Sequence, residues 1–122
     1  MFLGVAFGAF GAHALNLSPD RRLIYGTGVE YHLAHALALL VVGVLEKIFP
    51  QGKWNLSGWL FSFGILMFSG SLYVLAATGE GRWGVVTPLG GVCFLAGWVC
   101  FALSASRGKG FEQMRIKASN HG

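Results

Sequence analysis

The sequence predicts an all-helical, polytopic membrane protein: a bundle of four transmembrane helices joined by short loops. Three observations lead there. Hydrophobic residues make up 54% of the 122 residues and charged residues only 11%, whereas a water-soluble domain carries about 25% charged residues. Mean hydropathy is +0.59. The apolar residues also gather into separate runs, and the longest supply the roughly 20 helical residues that cross a hydrocarbon core about 30 Å thick.

The first run covers residues 1–15 before Asn16, giving a span of about 1–17. Fifteen helical residues reach only about 22 Å. Either the first span begins upstream of Met1, or it is short and thins the bilayer locally. Ala12-His13-Ala14 fits an A-x-A cleavage pattern, but the basic n-region of a signal peptide is missing. Gly4, Gly8 and Ala12 form a small-xxx-small series that lets a neighbouring backbone approach. Packing within the monomer is favoured over a homodimer face. His13 lies off that stripe, about 140° around the helix from Gly8.

Residues 16–26 form a connector with its own punctuation. Ser18-Pro19-Asp20 reads as an N-cap with proline at the first helical position, and Gly26 as a stop. The expectation is a short helix, Arg21 to Tyr25, lying in the headgroup region. The second span, about 28–48, opens with Thr27 and Glu30 in the spacing of a capping box, which gives Glu30 a structural role. It closes at Glu46-Lys47 and Pro50.

The third span covers about 54–77 and the fourth about 85–106. Pro88 follows Thr87 at the start of the fourth, where proline is tolerated. Cys93 and Cys100 are seven residues apart on that helix, about 10 Å of rise and beyond disulfide reach, so both are expected as core thiols. Residues 107–122 read as a basic, mobile tail.

Charge sets the orientation. Lys47, Lys53, Arg107, Lys109, Arg115 and Lys117 lie on one side, and Arg21, Arg22 and Arg82 on the other. The excess places both termini in the cytoplasm. The net charge of +4 therefore reads as membrane orientation, with the lipid bilayer as partner. No basic stripe with interleaved aromatics suggests nucleic acid.

This topology puts the intramembrane polar groups in the outer half: His13, Glu30, Tyr31, His32, His35, Ser69, Ser71, Tyr73 and Thr87. Polar groups at that depth are expensive unless paired, so they form the candidate site. His32 and His35, at i and i+3, share a face and with His13 offer three nitrogens to a metal. However, no cysteine or carboxylate completes the shell, and Glu30 points about 160° away from His32. Bis-histidine haem between helices and a proton or solute path through histidines are further options. The favoured reading is that these groups cross-link helices through hydrogen bonds, with no cofactor. Glu46 shares a face with His35 but lies about 16 Å along the helix, at the other interface. The sequence contains no nucleophile–base pair, phosphate loop or acidic dyad.

Four motifs also carry a resemblance. Gly8-Ala-Phe-Gly-Ala-His-Ala-Leu15, Thr27-Gly-Val-Glu-Tyr-His-Leu-Ala-His35, Phe68-Ser-Gly-Ser-Leu-Tyr73, and Val86-Thr-Pro-Leu-Gly-Gly91 with Leu95-Ala-Gly-Trp98 occur in this order. They resemble domain-of-unknown-function family 423, small four-span bacterial inner-membrane proteins related to eukaryotic transmembrane protein 256. The resemblance covers nearly the whole chain, but the N-terminus is several residues shorter than the family pattern. It implies a four-helix fold in the inner membrane and no established activity. It gathers His13, Glu30, Tyr31, His35, Ser69, Ser71, Tyr73, Thr87 and Pro88 at the outer face. It reads Gly8, Gly11, Gly70, Gly90 and Gly91, like Gly4, as close-packing positions. The expected function is a non-enzymatic structural or interaction component, with a homo-oligomer or a membrane-protein partner. The alternative is a small oligomeric transporter or channel subunit using His13, His35, Ser69 and Tyr73, followed by a haem or metal protein.

Overall fold

A computed structural model describes residues 1–13, 16–106 and 109–122, with the side chains of His13 and residues 109–113 outside the description. Every regular element among these residues is helical. In chain order they are α1 (Phe2–His13), α2 (Pro19–Ile48), α3 (Trp54–Gly64), a π-turn (Ile65–Ser69), α4 (Gly70–Thr78), a 3-10 turn (Gly81–Val85), α5 (Thr87–Ser106) and α6 (Lys109–Asn120). Three continuous stretches are long and apolar enough to cross a membrane: Pro19–Ile48, Trp54–Thr78 and Gly81–Ser106. At 12 residues, α1 extends only about 18 Å.

One expectation is overturned at α2. The connector helix, the stop at Gly26 and the capping box at Thr27 are replaced by one helix of 30 residues starting at Pro19. Instead of capping, the Thr27 hydroxyl donates to the Leu23 carbonyl at 3.0 Å, one turn back. The reason lies in the solvent. Breaking a helix frees backbone groups that lipid cannot satisfy, while a glycine inside the helix costs only about 1 kcal/mol. Ser18 and Pro19 do begin the helix, but without a side-chain cap bond. The basic tail contains a further helix, Lys109–Asn120.

The core is aromatic and lies between α2, α3 and α5. Ala38, Val42, Trp54, Phe61 and Phe94 are buried together, with Leu39, Ile65, Phe68 and Phe101 packed around them. Large apolar residues face outward along the same helices, among them Leu37, Leu40, Trp59, Phe63, Leu95 and Val99. A helix that is apolar all round suits a lipid surround.

Glycines set the contacts. Gly4, Gly8 and Gly11 of α1 lie against Leu33, Val29 and Tyr25 of α2, so α1 runs antiparallel to α2 along its first half. A Cβ on Gly90 would fall 2.3 Å from the backbone nitrogen of Phe68, and one on Gly97 2.7 Å from the Phe61 ring. Gly91 is in ordinary contact with Phe68 at 3.9 Å. Gly70, expected as a packing position, has nothing within 4 Å.

The π-turn interrupts the third span. Its buried positions run Trp54, Ser57, Phe61, Gly64, then Ser69, Ser71, Leu72 and Ala76. The step from Gly64 to Ser69 holds one residue more than an α-helical stripe permits, and the wide turn absorbs it. The span ends at Gly79, whose φ of 74° is open to glycine at little cost. Its N–H donates to the Leu75 carbonyl at 2.8 Å. Pro88 sits in the first turn of α5, where its missing N–H breaks no bond.

Candidate functional site

The polar residues of the upper bundle resolve into separate pairs. His35 is buried on α2, and the indole N–H of Trp98 donates to its Nε2 at 3.0 Å. An indole nitrogen can only donate, so Nε2 carries the lone pair and Nδ1 the proton. Nδ1–H in turn donates to the Tyr31 carbonyl at 2.8 Å. The Phe94 ring stacks on the imidazole with centroids 3.6 Å apart, and Phe61 meets it edge-on at 5.5 Å. Nε2 therefore ties α5 to α2, while the Nδ1 bond, to a carbonyl four residues back on α2 itself, fixes the orientation of the ring.

His32 turns to α4 instead. Its Nδ1 lies 2.9 Å from the Tyr73 hydroxyl. The Tyr73 ring stacks on Phe7 of α1 at 4.8 Å and tilts against Tyr25 at 5.1 Å. Tyr73 comes this close because Gly28 has no side chain: a Cβ there would lie 2.9 Å from its ring. The Tyr25 hydroxyl donates to the Phe7 carbonyl. This group joins α1, α2 and α4.

A third pair joins α4 to α5. Ser71 and Thr87 hydroxyls are 2.6 Å apart, and Ser71 Oγ is also 2.9 Å from the Phe68 carbonyl. The Thr87 hydroxyl also has the Trp83 carbonyl 3.5 Å away, so each hydroxyl has a carbonyl within reach and either can donate within the pair. Ser69 is wholly buried in the π-turn, and its hydroxyl has no hydrogen-bond partner among the described residues. Glu30 and Tyr31 face outward. Glu30 lines a groove between α1 and α2 with Gly8, Gly11, Arg22 and Val29, and Tyr31 lays its ring 4.6 Å from Phe68. The side chain of His13 lies outside the described residues.

These positions leave little for a metal. No group of three His, Cys, Asp or Glu side chains among the described residues could hold an ion. His35 would have to give up the Trp98 or the Tyr31 bond to offer a nitrogen.

The family model described as "Protein of unknown function (DUF423)" matches residues 7–91. The chain belongs to the DUF423 family. Curated relatives include the UPF0382 membrane protein YwdK of Bacillus subtilis, 46% identical over 106 residues that cover 84% of this chain and 86% of that protein. The UPF0382 inner membrane protein YgdD of Escherichia coli K12 is 41% identical over 110 residues, covering 87% of this chain and 82% of that protein. No solved structure matches significantly.

In this DUF423 chain, several residues that hold the site together lie outside the polar cluster that the sequence marks. Trp98, the partner of His35, lies beyond the matched residues 7–91, and only its place after Leu95-Ala-Gly marked it. Tyr25 fell in a segment read as interfacial. Arg21, likewise assigned to headgroups, donates from its guanidinium to the Ala77 carbonyl at 2.8 Å and caps α4. At the opposite end the Ser57 hydroxyl donates to the Gly97 carbonyl at 2.9 Å. The Ser104 hydroxyl accepts from the Lys53 N–H at 3.0 Å. Isolated serines in apolar runs gave no signal for either bond.

Proposed function

We propose that the protein is a non-enzymatic, multi-pass inner-membrane component with four spans and cytoplasmic termini, which works by associating with other membrane proteins or with copies of itself. The observation that carries this reading is the commitment of both His35 nitrogens, to Trp98 and to the Tyr31 carbonyl. A histidine bonded to a neighbouring helix through one nitrogen, oriented by the other and stacked between helices is a cross-link, worth on the order of 1 kcal/mol per interhelical hydrogen bond in lipid. His32 and Tyr73, and Ser71 and Thr87, are paired in the same manner. The transport alternative requires His13, His35, Ser69 and Tyr73 on one path, whereas His35 is bonded to Trp98 of α5 and Tyr73 to His32 of α2.

Counting α1 as the fourth span is supported by its course along α2 from Leu33 to Tyr25. The inner membrane is supported by the name of the Escherichia coli relative, and the orientation by the six cations on the side of Lys47 and Lys53.

Metal and haem analysis of the detergent-purified protein beside His35→Ala tests the reading. The expected outcome is a less stable variant with unchanged metal content and no visible absorbance in either protein. Stoichiometric metal or haem in the parent, absent from the variant, would sink the proposal. Phosphatase and fluorescent-protein fusions at each end test the orientation: a phosphatase active at either terminus contradicts it.

A further inference from the structure

A groove of about 300 Å³ opens between the second half of α2 and the first turns of α3. Its deep part is mostly apolar, and the one hydroxyl there, of Ser62, donates to the Gly58 carbonyl at 2.9 Å. Leu39, Val42, Gly43 and Gly58 line it, and a Cβ on Gly43 would meet nothing within 4 Å. Its mouth is polar. Glu46 stands in the last turn of α2, and Asn55 in the first turn of α3. Leu39 lies about 10 Å further along the helix than Glu46, so the groove runs from the helix ends toward the middle of the bundle. Trp59, 63% exposed, forms a lip, and indole rings favour the headgroup level.

Charge at the mouth has two signs. Glu46 is half-buried and forms no ion pair among the described residues. Lys47 and Lys53, both exposed, flank it in sequence and at the α2–α3 connection. The geometry points to a bound phospholipid with a primary-amine headgroup, phosphatidylethanolamine, held as a single molecule in this groove. Its ammonium donates hydrogen bonds to the Glu46 carboxylate and the Asn55 amide oxygen. Its phosphate is drawn to Lys47 and Lys53, and one acyl chain lies over Gly43 and Gly58. A choline headgroup carries the same charge but has no N–H to donate. A glycerol headgroup offers Glu46 no cation.

This proposal needs only that the protein lies in a bilayer, and it is independent of the four-span and non-enzymatic readings. Native mass spectrometry of the full chain in detergent, titrated in turn with phosphatidylethanolamine, phosphatidylcholine and phosphatidylglycerol, tests it. The amine lipid should be retained at least five-fold more than either other lipid. Glu46→Gln should lower it to the phosphatidylcholine level, and Gly43→Leu should lower all three. Glu30→Gln, in the groove on the other side of α2, should leave the preference unchanged. Asn55→Leu should weaken it, which keeps the test open if the Glu46 variant fails to fold. Equal retention of the three lipids, stronger retention of phosphatidylglycerol, or a preference that survives Glu46→Gln would overturn the proposal.

Discussion

A methyl group added at Gly90 would land 2.3 Å from the Phe68 nitrogen, and backbone cannot swing aside as a side-chain tip can. Gly90→Ala should therefore destabilise the protein by about 1–3 kcal/mol, the usual cost of overpacking. At Gly70, where no atom lies within 4 Å, the same change should be neutral or stabilise by up to about 1 kcal/mol through helix propensity. Thermal unfolding in one detergent, with the two variants side by side, checks the contrast. Ser69 makes an opposite point about polarity. Its buried hydroxyl has no partner among the described residues, so removing it relieves a desolvation cost. Ser69→Ala is expected to unfold at the same temperature or higher.

Helix ends carry the next set of forces. The top of α4 is closed twice, by Gly79 in a left-handed conformation and by Arg21 reaching over from α2 to the Ala77 carbonyl. The second contact puts a cation at the negative end of a helix dipole. It also fastens the start of α2 to the end of α4, 56 residues later. Gly79→Ala should cost about 1–2 kcal/mol, because a Cβ disfavours positive φ. Arg21→Met should loosen the same end, read as faster amide exchange over residues 74–79. By contrast, the ion pair of Arg82 with Glu80 at 2.6 Å is well exposed, and pairs of that kind contribute about 0–1 kcal/mol.

At the scale of the whole bundle, the question is whether its polar groups form one network or several. His32 and His35 are three residues apart, yet one bonds α4 and the other α5. With no shared partner, Tyr73→Phe and Trp98→Phe should add to within about 0.5 kcal/mol in the double variant. A larger coupling would mean that one network runs through both histidines. Composition and the length of the apolar runs together made the helical membrane character legible, because so little charge cannot cover a water-facing surface. Of the candidate polar residues, His32, His35, Ser69 and Ser71 are buried within the bundle, whereas Glu30 and Tyr31 face outward. The partners of the cluster were not legible, since Trp98, Phe94 and Gly28 look like any other apolar or small residue until the helices are rotated into place. The start of α2 was misread for a related reason. Thr27 and Glu30 carry the spacing of a cap, and the Leu23 carbonyl that Thr27 bonds belongs to a turn expected to be separate.

The wide turn at Ile65–Ser69 implies an unusual tolerance to the loss of a residue. Excising one amino acid from a transmembrane helix normally turns everything beyond it by about 100°, presenting the wrong side chains to every neighbour. Here the surplus is already built in: Leu66 is 70% exposed, and the inward stripe on either side is one residue out of step. Without Leu66 the turn can relax to ordinary α-helical pitch, and Ser69, Leu72 and Ala76 still face inward. Deleting Leu66 should leave a folded protein, whereas deleting Leu60, one turn before the surplus, should not. Folded yield from membranes separates the two. If the shorter chain folds, this family has a site where length can change by one without a change of architecture.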